Sequence, residues 1–498
     1  MRLGAGALLA LLLAACGSGP GPGETALSGS SVTAAVNDPG SVTLPVDPAV
    51  TIGHLDNGLT YYLRSNDAPG GSLELRLVVA AGSLEQNVTG SGIAHFLEHM
   101  LFNGTADYPG NQLDDALQTL GMQVGADVNA YTSCDATVYG LTVSLDSPEH
   151  VEVAFDVLDQ WATAATLDPD AVVAERGVVL EEYRMTETAQ GLIATRFDEV
   201  YTEGSVYEGC DPIGTEGAIV TTDPVDLIHF YDRWYRPDLM AVVAVGDLAV
   251  DLMEREVIDR FSDNVARADS PEPRARQAGL VTGVVAEVVV HPDAPSPFVS
   301  IDYSLPDREP GTVDGERTAL LDGLVSALVQ SHLDEQVAAG NLPVVRPFAT
   351  EFAYTDSLRF MGFNYVAKDE AASVTAMLLE LRGLANRGFP SDSVERNRAA
   401  FANALDQSLA AEATRQDYSF AASYVAHFLG GADIGEVTAR HARQTEMLES
   451  ITADELSSHF ATTFGEAAPL VLVVGHDPAD LPSTAELEAA VNEGLTGT

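Results

Sequence analysis

The stretch Gly90-Ser91-Gly92-Ile93-Ala94-His95-Phe96-Leu97-Glu98-His99-Met100-Leu101-Phe102-Asn103-Gly104-Thr105 reads His-x-x-Glu-His among apolar residues. On an α-helix, residues i and i+4 share a face, so His95 and His99 can point at one spot. Two neutral imidazoles so placed suit a divalent metal, zinc above all. Glu98 can reach a water at that metal without being a ligand, and the order is the inverse of His-Glu-x-x-His. Ile93, Phe96, Leu97, Met100 and Leu101 predict a buried helix, on which two histidines and a glutamate need partners. The competing reading is two surface histidines and, farther on, a solvated acidic helix.

A catalytic zinc needs a third protein ligand and an open position. The helix-like run from Asp170 to Met185 offers Glu175 and Glu182, two turns apart on one face. Either can bind the metal while the other steadies a ligand or the water.

The run from His95 to Thr105, the later Asn129-Ala130-Tyr131-Thr132, and Glu175 with Glu182 resemble the insulinase/pitrilysin family of inverted-motif zinc peptidases. The insert Asp107-Tyr108-Pro109-Gly110-Asn111 is most similar to the bacterial periplasmic members. The resemblance implies one Zn2+ per chain, with His95, His99 and Glu182 as ligands. It implies Glu98 as general base and Glu175 as an auxiliary catalytic-site residue, with Glu181 the rival to Glu182. It further implies that Asn129 and Ala130 hold the backbone of a peptide substrate added along their strand. Read without the family, Asn129 is a turn or bulge residue. The family closes a chamber from two halves, and this chain holds one half. A homodimer, or a heterodimer with a second half, is therefore expected. The family's Arg/Tyr oxyanion pair belongs to the far half and is assigned to no residue here.

With 74 Asp+Glu against 25 Lys+Arg, the 498-residue chain carries a formal charge of −49. That argues against nucleic-acid binding, which needs a basic face. It suits solubility and cationic peptide substrates, and equally a salty medium. At 46% hydrophobic the chain can bury a core. Arg2, the apolar run Leu8–Leu13 and Leu13-Ala14-Ala15-Cys16-Gly17 resemble a lipoprotein signal over residues 1–15, with Cys16 left to carry lipid. The Gly-, Pro-, Ser- and Thr-rich residues 16–46 read as a flexible tether, so the protein is expected in the cell envelope or periplasm, touching a membrane through its lipid alone. Cys134 and Cys210 are read as free thiols, although an oxidising compartment would permit pairing.

Two echoing halves follow. Leu73–Ala80 and Thr137–Val143 alternate as strands, and Met240–Gly246 is a continuous apolar strand. Phe298–Leu305, Leu358–Ala367 and Leu470–Gly475 repeat them about 220 to 230 residues later. The pattern predicts an α+β fold of two homologous domains, each a mostly antiparallel sheet with helices on one face, together half of a clamshell. The active domain spans 47–265, a polar linker 266–283, the inactive domain 284–484 and a C-terminal tail 485–498. The long stretch between the Glu175/Glu182 helix and the Met240 strand reads as irregular. Copy two retains only His332 on the equivalent helix, and Ala402 stands where Glu182 would align, so the architecture does not require the ligands.

Taken together, the residues predict a zinc endopeptidase that cleaves extended peptides in a chamber of the cell envelope. The alternatives are a non-catalytic peptide-binding or scaffold lipoprotein subunit of a two-chain peptidase, and a zinc-stabilised structural protein. A structural zinc would use four protein ligands.

Overall fold

The computed structural model describes residues 42–497 except 124, 126, 268–270, 282, 295, 356 and 467. The signal-like segment, Cys16 and most of the expected tether therefore lie outside the described residues. Among the described residues no helix is long and apolar enough to cross a membrane.

The first unit runs β1 (Thr51–His54), β2 (Thr60–Ser65), β3 (Ser72–Val79), α1 (Ile93–Phe102), α2 (Gln112–Thr119), β4 (Val128–Thr132), β5 (Thr137–Ser144), α3 (Pro148–Thr163) and α4 (Pro169–Thr186). It continues through α5 (Ala189–Thr202), α6 (Glu216–Thr221), α7 (Pro224–Trp234), β6 (Met240–Gly246) and α8 (Val250–Phe261). The sheet order is β1-β2-β6-β3-β5-β4. The β2–β6 pair is parallel and the rest are antiparallel. The continuous apolar run of β6 is buried at every position, as a strand covered on both faces must be. The inner face packs Leu73, Leu75, Leu77 and Leu141 against Phe96 of α1, Phe155 and Trp161 of α3 and Val257 of α8.

The second unit repeats the plan with β7 (Val285–Val290), β8 (Phe298–Leu305), α9 (Val313–Ala338), β9 (Val344–Ala353), β10 (Arg359–Ala367), α10 (Glu370–Arg387), α11 (Ser391–Ala411) and α12 (Asp417–Gly430). Then come α13 (Val437–Ser450), α14 (Ala453–Glu466), β11 (Pro469–Gly475) and α15 (Thr484–Thr496). Its order, β7-β11-β8-β10-β9, matches that of the first sheet without β1.

Each sheet leaves an apolar outer face, and the other unit covers it. From the first unit, Ile193, Phe197, Val200 and Tyr201 of α5 pack on Phe298, Phe360, Leu470 and Leu472. From the second, Phe420, Ala421, Tyr424 and Val425 of α12 pack on Tyr62, Val78, Val138 and Val243. Buried polar groups fix both contacts. Tyr201 donates to the fully buried Asp302 at 2.9 Å, and Tyr62 Oη lies 2.8 Å from His427 Nδ1. Phe420 has the guanidinium of Arg64 at 3.9 Å and that of Arg415 at 4.2 Å from its ring centre, both within cation–π range.

Four expectations need correction. The stretch read as irregular contains α5, α6 and α7; the apolar stripe of α5 has helical spacing but faces the other unit. The expected tail is the helix α15, where Ser483 and Glu486 form a capping box and Leu487 and Val491 are wholly buried. It packs on α10 as α8 packs on α3. The last residues of the expected tether are fixed: Thr43 bridges Thr312, and Leu44 N donates to Gly311 O at 2.8 Å. The polar linker stands without helix or strand among its described residues and is held by arginines, Arg274 donating to Gln86 O at 2.9 Å and buried Arg276 to Asp135 O at 2.8 Å. Cys134 and Cys210 form a disulfide, with Cα atoms 5.8 Å apart, because the loop before α6 folds back over the turn between β4 and β5. Geometry of this kind has no trace in a separation of 76 residues.

If α12 is part of the first unit's core, Phe420→Ala should cost about 3–5 kcal/mol. Chemical denaturation of the two proteins would measure this; a loss below about 1 kcal/mol would mean the contact is peripheral.

Candidate metal centre

The helix α1 begins at Gly92, whose φ of 70° is left-handed, with a virtual Cβ 2.7 Å from Ile213 O; both conditions favour glycine. Ala94 N, one of the free amides of the first turn, donates to Gln86 Oε1 at 3.1 Å. Six apolar side chains bury the helix against the sheet and α7, leaving His95, Glu98 and His99 on the face toward α4 and β4. The helix α4 starts at Asp168, whose carboxylate accepts from Asp170 N and Ala171 N ahead of Pro169. Val172 and Val179 bury one stripe of it.

The two helices bring three side chains together. Glu182 Oε2 is 3.2 Å from His99 Nε2, and its Oε1 is 3.6 Å from His95 Nε2. Ligand atoms of His95, His99 and Glu182 all lie within 4.8 Å of one another. Glu175 Oε1 lies 2.9 Å from His99 Nδ1, and Asn103 Nδ2 donates to the other Glu175 oxygen at 2.8 Å. That contact orients the ring and leaves Nε2 to face Glu182. Glu98 is buried, and its Oε2 accepts from Thr132 Oγ1 at 2.6 Å. Glu181 points away, 70% exposed and paired with Arg184.

Two nitrogens and one carboxylate oxygen suit zinc. The charges agree: three carboxylates surround two imidazoles. Burial alone would lower the pKa of His99, but hydrogen bonds to Glu175 and Glu182 and the charge of Glu98 raise it from 6.5 to about 9. Hydrogen bonds from His95 and His99 hold Glu182 well below the usual carboxylate range. For Glu175, burial pushes upward while His99 and Asn103 prevail downward. Nδ1 of His95 is buried without a hydrogen-bond partner among the described residues.

Asn129 and Ala130 lie on β4, the edge strand, opposite Gly140 and Tyr139 of β5. Asn129 is exposed and Ala130 half-buried. Two residues at the centre escaped the sequence reading. Thr132 ends the quoted Asn129–Thr132 run, and Asn103 follows His99 by one helical turn; that spacing was the available signal.

Residues 61–204 match the family model described as Insulinase (Peptidase family M16), and residues 223–401 the one described as Peptidase M16 inactive domain. The chain belongs to the insulinase family. It is 41% identical over 224 residues to a probable zinc protease PqqL of Haemophilus influenzae, covering 45% of this chain and 24% of that protein. It is 28% identical over 380 residues to a probable zinc protease PqqL of Escherichia coli, covering 74% of this chain and 40% of that one. The chain thus spans well under two thirds of the length of these relatives. The crystal structure of the first half of the periplasmic protease PqqL from Escherichia coli superimposes with a TM-score of 0.85 at 23% identity. It covers 92% of this chain and 99% of that half, and against the complete PqqL structure the match covers 51% of that chain. At that identity the likeness is one of fold.

Among the described residues, the second unit of this insulinase-family chain has no equivalent centre. On α9, His332 Nε2 lies 2.7 Å from Glu380 Oε1, and among the described residues no other group of three His, Cys, Asp or Glu could hold a metal.

Metal-free His99 should carry a proton at neutral pH, and zinc would have to displace it. The proton competes below about pH 9, so apparent zinc affinity should rise with pH by up to about tenfold per unit and level off near 9. Calorimetric titration of metal-free protein in buffers of different ionisation heat should detect about one released proton at pH 7. A pH-independent affinity would contradict the raised value.

Proposed function

We propose that this chain is the zinc-bearing half of an endopeptidase of the cell envelope. The observation that carries the reading is the convergence of His95, His99 and Glu182 from two helices, with Glu98 beside them and held by a strand. A zinc ion held by those three side chains supplies Lewis acidity toward a carbonyl and lowers the pKa of water toward about 7. The buried carboxylate of Glu98 serves as general base, taking a proton from the attacking water and passing it to the leaving amine nitrogen. Glu175, itself held by Asn103, keeps His99 Nδ1 occupied and the ring in register with Glu182.

The substrate is an extended peptide that adds as a further strand beside β4. Backbone groups at Asn129 and Ala130 would hold it, supported by the position of β4 at the sheet edge, beside Glu98. The formal charge of −49 favours cationic peptides. The match to one half of a two-half protease supports a closed chamber formed with a second half, from another copy or another chain. A Cys134–Cys210 disulfide suits an oxidising, extracytoplasmic compartment. With it goes the reading of Cys16 as a lipid attachment point.

Glu98→Gln should retain about one zinc per chain while cleavage of a quenched peptide falls by roughly 10²–10⁴-fold. His99→Ala should lose both zinc, by metal analysis, and cleavage. Full zinc with undiminished cleavage in Glu98→Gln would remove Glu98 as the base, and a Glu182→Ala variant with unchanged zinc affinity would remove the third ligand. Light scattering with and without substrate tests the second half: a strictly monomeric, fully active chain would refute the two-half chamber.

A further inference from the structure

Glu98 is carried by α1, but what fixes the direction of its carboxylate lies elsewhere. Thr132, the last residue of β4, donates from Oγ1 to Glu98 Oε2 at 2.6 Å. A β-branched side chain on a strand has few χ1 options, so the hydroxyl is a stiff donor.

The chain after Thr132 is tied down at once. Ser133 N donates to Ala136 O at 2.8 Å, and Ser133 Oγ accepts from Ala136 N at 3.0 Å. From above, Leu84 N donates to Cys134 O at 3.0 Å, and a Cβ on Gly82 would come within 2.2 Å of Ser133 O, so the approach requires glycine. The disulfide then joins Cys134 to Cys210. The loop that carries Cys210 is the one that seats the start of α1. Tyr207 donates to Asp135 Oδ1 at 3.0 Å, Thr215 N to Gly90 O at 3.1 Å, and Ile213 O closes on Gly92. The contacts make a closed circuit: from Glu98 down α1 to Gly92, across to the Cys210 loop, through the disulfide to the turn, and by Thr132 back to Glu98.

We infer that Thr132 is the positioning residue of Glu98, and that the Cys134–Cys210 disulfide holds Thr132 in register with α1. This rests on Glu98 acting as the base, as proposed above. Thr132→Val keeps the shape and removes the hydroxyl. It should lower kcat by about tenfold, the scale of a hydrogen bond to a charged group, with KM within about twofold. Zinc affinity, measured by chelator competition, should stay at the wild-type value, and Thr132→Ser should regain most of the rate. The double variant Cys134→Ser/Cys210→Ser should slow the wild type but add little to Thr132→Val, because both act through one contact. A readout without turnover is the affinity for a peptide hydroxamate, an inhibitor that must hand a proton to the base; it should fall in Thr132→Val and recover in Thr132→Ser.

A wild-type kcat in Thr132→Val, a loss of zinc from it, or rate losses that multiply when the disulfide is also removed would overturn the inference. A cleaving wild type matched by Glu98→Gln would instead overturn the preceding assignment of the base. If the chain alone does not turn over, the hydroxamate affinities decide, and equal values in wild type and Thr132→Val overturn the inference.

Discussion

The contact between one carboxylate and two imidazoles governs this molecule. Glu182 stands between His95 and His99 at 3.6 and 3.2 Å, in a place where unpaired charge would be costly. Without a metal, a proton on His99 offsets part of the charge of three carboxylates. A divalent cation there would offset more of it. Both states demand that α1 and α4 keep their spacing to within a fraction of an ångström. The caps, the glycine approach at Gly92 and the Glu175–Asn103 pair all serve that spacing.

Rigidity at that scale explains the duplicated architecture. A sheet buries one face with its own helices and leaves the other apolar. Here α5 and α12 are exchanged between units, each closing the outer face of the opposite sheet. Neither unit has a complete core alone, so the first could not shed its silent copy without exposing Tyr62, Val78 and Val243. The second unit has a structural task even though its own helices carry His332 paired to Glu380 instead of a metal site. In this chain, the exchanged helices give one physical reason for keeping the unit that matches the family's inactive domain.

The sequence was legible wherever chemistry or periodicity is local. His95, Glu98 and His99 share one helix, so spacing alone places them on one face. Glu175 and Glu182 are likewise two turns apart. The continuous apolar run at Met240–Gly246 declared a central strand, and its echo at Leu470–Gly475 declared the repeat. The tail was misread although Ser483 and Glu486 carry a capping box and the repeat had already supplied α8 as its counterpart. The stretch after Glu187 was misread because the partners of the apolar stripe on α5 (Phe298, Phe360, Leu470 and Leu472) all lie in the other unit.

What the sequence by itself determined is the inverted histidine pair with Glu98, the two candidate glutamates at 175 and 182, the duplication and the α+β character, all written in residue type and period; that Glu182 is the one facing both imidazoles was decided by the packing of α1 on α4. The pairing of Cys134 with Cys210, the hydrogen bond from Thr132 to Glu98 and the fixing of Arg276 at Asp135 were decided in three dimensions. Such contacts join residues far apart in the chain through the packing of whole elements, and no local pattern encodes a distance set by a sheet, a helix and a loop acting together.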